Sequence, residues 1–69
     1  MTEYVVYSTG KFARVLGEFK NEAEVRKRLR KVDDSNLRRY SVETWSTPMG
    51  HPSFDLEFRG VVSASEFLR

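Results

Sequence analysis

The sequence predicts an α+β domain, a four-stranded antiparallel sheet in the order β-β-α-β-β with one main helix on one face and a short C-terminal helix. Three observations predict it. Four stretches are rich in β-branched and aromatic residues. A central stretch carries apolar residues at helical spacing behind a capping asparagine, and a second capping signal stands near the end of the chain. All of this falls within 69 residues. That length is one domain, 1–69, at a size where folding hides only about 60% of the surface the unfolded chain exposes.

The elements follow in order. EYVVYS, residues 3–8, reads as a strand with Tyr4 and Val6 on one face and Val5 and Tyr7 on the other, so both of its faces are apolar. STGK, 8–11, is a turn in which Gly10 supplies a positive φ, and KFARVLGEF, 11–19, is the returning strand of a hairpin. Its Phe12, Ala13, Val15, Leu16 and Phe19 again serve both faces, and Gly17 interrupts the alternation as a bulge would. NEAE, 21–24, starts the main helix: Asn21 caps free amides, Glu24 stands at the capping-box position, and the acidic residues suit the positive helix end. Val25, Leu29 and Val32 fall within a stripe of about 60° at 100° per residue, which is a buried seam. DDSN, 33–36, ends that helix.

RRYSVETWS, 38–46, alternates Tyr40, Val42 and Thr44 with Arg39, Ser41, Glu43 and Trp45. SFDLEFR, 53–59, alternates Phe54, Leu56 and Phe58 with Asp55, Glu57 and Arg59, and reads as the fourth strand, paired with the third through the loop TPMGHP. SASEFLR, 63–69, repeats the capping pattern at Ser63 and Glu66, so Phe67 and Leu68 should dock back on the sheet.

Composition narrows the function. Cysteine is absent, which removes disulfides, thiolate nucleophiles and Cys-based zinc sites. No stretch approaches the roughly 20 apolar residues that cross a bilayer, and MTEYVVYSTG lacks the pattern of a secretion signal, so a cytoplasmic protein is expected. The net charge of +2 is mild beside that of a dedicated nucleic-acid binder. Catalytic triads, H-E-x-x-H helices and glycine-rich nucleotide loops are missing from the sequence. STGK lacks the upstream glycine of a phosphate loop. No catalytic residue, cofactor or metal site is expected, and the protein reads as a non-enzyme.

Two patches stand out. The basic one comprises Arg26, Lys27, Arg30 and Lys31 of the helix with Arg38 and Arg39 beyond it. These helix charges, with Arg28, spread around the whole solvent side instead of forming a phosphate-tracking stripe, and Glu22–Arg26 and Glu24–Arg28 are favourable i,i+4 pairs. A solvated helix face accounts for most of this. The other patch is the loop WSTPMGHPS, 45–53, in which two prolines stiffen a segment carrying Trp45, Met49 and His51. Such residues anchor protein interfaces, and a stiff loop loses little entropy on binding. A lone histidine is a surface residue before it is a metal ligand. Glu43, Asp55 and Glu57 read as cross-strand charge partners of Arg39 and Arg59 on one exposed face.

The layout of VLGEFKNEAEVRKRL and the closing VVSASEFLR resembles small uncharacterised accessory proteins of actinobacterial phages. The resemblance implies a short protein that acts by binding a host or phage protein in the host cytoplasm, and it transfers no catalytic residue.

The expected function is therefore a small protein-interaction module. A single helix covers one face of the doubly apolar hairpin, which leaves groups such as Tyr4 and Phe12 for a protein partner or for a second copy in a homodimer. Trp45, Met49, His51, Tyr4 and Phe12 are the partner-binding candidates. The alternative is nucleic-acid binding through the basic helix 22–32.

Overall fold

The computed structural model of the chain describes residues 1–11 and 13–69. Phe12, a partner-binding candidate, lies outside the described residues. The elements are β1 (Thr2–Ser8), β2 (Arg14–Phe19), α1 (Glu22–Leu29), α2 (Asp34–Leu37), β3 (Tyr40–Ser46), β4 (Glu57–Ser63) and α3 (Ala64–Phe67). The strands form one antiparallel sheet in the order β2-β1-β3-β4, so the expected α+β architecture is present. The single addition is the one-turn helix α2.

Why the chain folds this way is visible at each end. Gly10 sits at φ 97°, in the left-handed region where a side chain is strained, and the Ala13 N–H donates to the Gly10 carbonyl at 3.2 Å to close the hairpin. In β2 a bulge places Val6 opposite Gly17 and Tyr7 opposite Val15, leaving Leu16 as the extra residue. Gly17 also gives room to a neighbour: a Cβ there would stand 3.0 Å from the tip of the Phe19 ring, which would have to shift by a few tenths of an ångström. At α1 the Asn21 side chain accepts from the Glu24 N–H at 2.9 Å, and at α3 the Ser63 hydroxyl accepts from the Glu66 N–H at 3.2 Å. Both capping signals thus act as the sequence predicts.

Two boundaries differ from expectation. The main helix stops at Leu29, and Arg30 caps it with its amide on the Arg26 carbonyl at 3.0 Å. Continuing would stack Arg26 on Arg30 and Lys27 on Lys31 at repulsive i,i+4 spacing. DDSN does more than end that helix, because it starts α2. Asp33 takes an extended backbone at φ −67°, ψ 152°, and its carboxylate accepts from Ser35 Oγ at 3.0 Å and Asn36 Nδ2 at 2.9 Å. Val32 still reaches the core from the turn after α1.

The larger correction concerns the fourth strand, expected at 53–59 and found at Glu57–Ser63. The backbone before it is spent on turns: His51 N–H donates to Pro48 O at 3.1 Å, Asp55 N–H to Pro52 O at 2.9 Å, and Thr47 Oγ1 to Ser53 O at 3.1 Å. Pairing begins only at Glu57, and the strand then runs through Gly60, Val61 and Val62, which lie opposite Thr44, Glu43 and Val42.

Register separates the two faces. Tyr4, Val6 and Ser8 of β1 lie opposite Thr44, Val42 and Tyr40 of β3, and this face meets the helices. Val6, Val25, Leu29 and Val42 are fully buried, with Tyr40 and Ala64 beside them. Each such aliphatic side chain contributes about 1.5–3 kcal/mol by leaving water. The helices divide the face, α1 contacting β1 and β2 while α3 contacts β3 and β4. Both lie on the same side, since Val25, Leu29 and Ala64 belong to one core cluster and Phe67 stacks edge-on against Tyr4 at 5.9 Å. No described helix covers the opposite face.

Candidate functional site

The uncovered face is built from the other parity of the same strands. Glu3, Val5 and Tyr7 of β1 lie opposite Trp45, Glu43 and Ser41 of β3, and the neighbouring strands add Val15 and Glu18 on one side and Phe58 and Val61 on the other. Several of these are widely open to solvent for their type: Val15 is 64% exposed, Phe58 and Val61 50% each. Phe54, from the turn region before β4, is 84% exposed. Single exposed hydrophobes are ordinary, but a run of them on one flat face is not.

Trp45 is fixed in place. Its ring meets Phe58 edge-to-face at 5.5 Å and 71°, and its indole N–H donates to Glu43 Oε1 at 3.0 Å. The Tyr7 phenol titrates above its ordinary value, chiefly because the Glu43 carboxylate beside it favours the protonated hydroxyl. Glu43 is thus held by the Trp45 indole, where the sequence suggested an arginine partner. Arg59 instead donates from Nε to Ser46 Oγ at 2.6 Å and stands 3.9 Å from Glu57 on its own strand.

Between β1, β3 and the turn before β4 lies an open groove of about 460 Å³. Its apolar lining is Val5, Trp45, Phe54 and Leu56, and its acidic lining is Glu3, Glu18, Glu43 and Asp55. No lysine or arginine lines it. A second open groove of about 390 Å³ continues along the face, between Val5, Tyr7 and Val15.

The predicted partner-binding residues separate. Trp45 lies on the open face, toward the end of the sheet where it meets Glu3 and Phe58. Met49, 100% exposed, stands out from the loop between β3 and β4, and His51 holds Asp55 at 2.7 Å through Nδ1. Tyr4 lies on the opposite, helix-covered face, where it packs on Phe67 and its hydroxyl reaches Glu22 at 3.5 Å. Phe54 and Phe58, read from the sequence as the inward side of a strand, belong to the open face or its margin. The alternation in β1 and β3 was the signal that could have found Val5, Tyr7 and Glu43.

The basic residues divide as well. Arg26 is used internally: its guanidinium sits 5.3 Å over the Phe67 ring and 3.5 Å from Glu22, as the i,i+4 spacing predicts. Lys27, Arg28 and Lys31 line a shallow hollow of about 220 Å³ with Phe19 and Glu24. Arg30 is exposed. Arg38 follows α2, and Arg39 lines hollows at the far end of β1 with Arg14 and Lys11. Among the described residues no group of three or more His, Cys, Asp or Glu is placed to hold a metal ion. No described helix is long and apolar enough to cross a membrane.

No protein-family model, curated protein or solved structure matches this chain.

Proposed function

We propose that this protein acts without catalysis, as a small interaction module that docks a protein partner on the open face of its sheet. The observation that carries this reading is the placement of both α1 and α3 on one face, which leaves Trp45, Phe54, Phe58, Val15 and Val61 on or beside the other. The face has the makings of an interface core: a rigid aromatic pair whose polar atom is already satisfied, apolar neighbours, and a charged rim. The same reading suits a short accessory protein, of phage origin as the layout suggests, that works by binding a host or phage protein in the cytoplasm.

The test is affinity capture from the lysate of the source cell, followed by reconstitution with the captured protein in purified form. The wild type is compared with Trp45→Ala/Phe54→Ser and with a helix variant carrying Arg26→Glu, Lys27→Glu and Arg30→Glu. The same direct partner should bind the wild type and the helix variant, and should be lost from the face variant while circular dichroism keeps its folded form. Loss in the helix variant alone would move the function to α1.

Nucleic-acid binding through the basic helix has less support. Arg26 is occupied by Phe67 and Glu22, and Arg38 and Arg39 stand beyond α2, so the charge is split among separate places. A mobility-shift titration at two salt concentrations would restore that alternative if binding were tight at low salt and fell steeply with added salt.

A further inference from the structure

From this docking reading, on which it rests, we infer that the open groove takes a cationic, amphipathic segment of a partner protein, with lysine or arginine interleaved with apolar side chains. The groove joins two requirements. Val5, Trp45, Phe54 and Leu56 offer apolar and aromatic surface, and four carboxylates, Glu3, Glu18, Glu43 and Asp55, line the same space with no lysine or arginine among them. Among the described residues neither Glu3 nor Glu18 forms an ion pair or side-chain hydrogen bond, so both are available to an incoming cation. Glu43 is held in place by the Trp45 indole N–H, which donates to its Oε1 at 3.0 Å.

Asp55 is already held by His51, but an occupant bearing negative charge would be repelled by Glu3, Glu18 and Glu43, and a purely apolar one would bury these three with no counter-charge. A cationic side chain instead gains the carboxylates and an aromatic face together. The molecule already uses this pairing elsewhere, where Arg26 lies over Phe67. A second copy meeting the first face to face would bring the two sets of carboxylates together, which disfavours the symmetric homodimer. A second copy offering its α1 would dock head to tail and leave its own groove open for the next, an open-ended chain.

Trp45 is the one tryptophan, so its fluorescence reports groove occupancy directly. A random 12-residue peptide display library is panned on the wild-type protein, with Glu3→Lys/Glu18→Lys as counter-target, and the enriched peptides are titrated by Trp45 emission, or by calorimetry where the variant lacks Trp45 or the peptide carries tryptophan. The expected result is enrichment of peptides with Lys or Arg beside Leu, Phe or Trp. Their affinity should fall about tenfold or more in Glu3→Lys/Glu18→Lys, less in Glu3→Gln/Glu18→Gln, and weaken as salt rises from 50 to 300 mM. Enriched peptides with no excess of positive charge, still lost in Trp45→Ala/Phe54→Ser, would overturn the inference and leave the docking face standing. No peptide lost in that variant would overturn both. Self-association of the protein alone, by sedimentation, that the double-lysine variant abolishes would make the occupant a second copy and likewise overturn the inference.

Discussion

Leu29 and Tyr7 show how differently two side chains of one small domain are tied to their surroundings. Leu29 is fully buried on the inner side of α1, in a cluster with Val6, Val25 and Val42. The core has few members, so little can collapse into a vacancy. Leu29→Ala should lower the unfolding free energy by about 2–5 kcal/mol in urea titration, a large share of what a domain this size holds. Tyr7, on the opposite face, lies beside the Glu43 carboxylate. That neighbour raises the folded-state pKa above 10.0, which favours the protonated phenol in the folded protein. The stabilisation is therefore complete below pH 10.0 and is lost as pH rises through the higher folded value. Following Tyr7 by NMR should give a midpoint above 10.0 in the wild type and a lower one in Glu43→Gln. An unchanged midpoint would remove Glu43 as the cause.

At the scale of elements, local signals and pairing partners compete, and the outcome differs along the chain. The starts of α1 and α3 obey their capping residues. α1 spans only Glu22–Leu29, too short to be stable alone, so it relies on its cap and on the sheet beneath it. Asn21→Ala should accordingly cost about 1 kcal/mol in the same urea assay, with Asn21→Ser or Asn21→Asp restoring most of it. Strand ends obey no such local signal. The alternation of Phe54, Leu56 and Phe58 suits a strand, yet Pro48 and Pro52 turn the backbone there, and β4 takes its register from Val42 and Glu43 instead. A strand is defined by the partner it pairs with, and that partner is distant in sequence.

At the scale of the whole molecule, one layer of helices on one layer of strands leaves a thin body, 41 × 26 × 16 Å across its Cα atoms. Its two sides differ in charge. The side with α1 carries Arg26, Lys27, Arg28, Arg30 and Lys31 against Glu22 and Glu24, while the first groove on the other side is lined by Glu3, Glu18, Glu43 and Asp55, with Arg14 at the second. A net charge of +2 conceals that separation. Phe54 beside the groove and Met49 on the loop between β3 and β4 are both spared from holding the core, so Phe54→Ser and Met49→Ser should each shift stability by no more than about 0.5 kcal/mol in thermal or urea unfolding. Marked destabilisation by Phe54→Ser would mean that this ring supports the fold rather than a partner.

Periodicity and capping are written locally, so the residues alone specified a four-stranded α+β domain, the hairpin turn at Gly10, both helix starts and an apolar hairpin with two greasy sides. They also singled out Trp45. Pairing between distant segments moved β4 from the expected 53–59 to Glu57–Ser63 and decided what the residues left open, the side on which α3 docks and the company Trp45 keeps. An alternating strand states which side chains share a face, but only the packed fold chooses the face that the helices bury. That choice sent Tyr4 into the helix-covered side and left Trp45 beside Phe58, Phe54 and the carboxylates on the other.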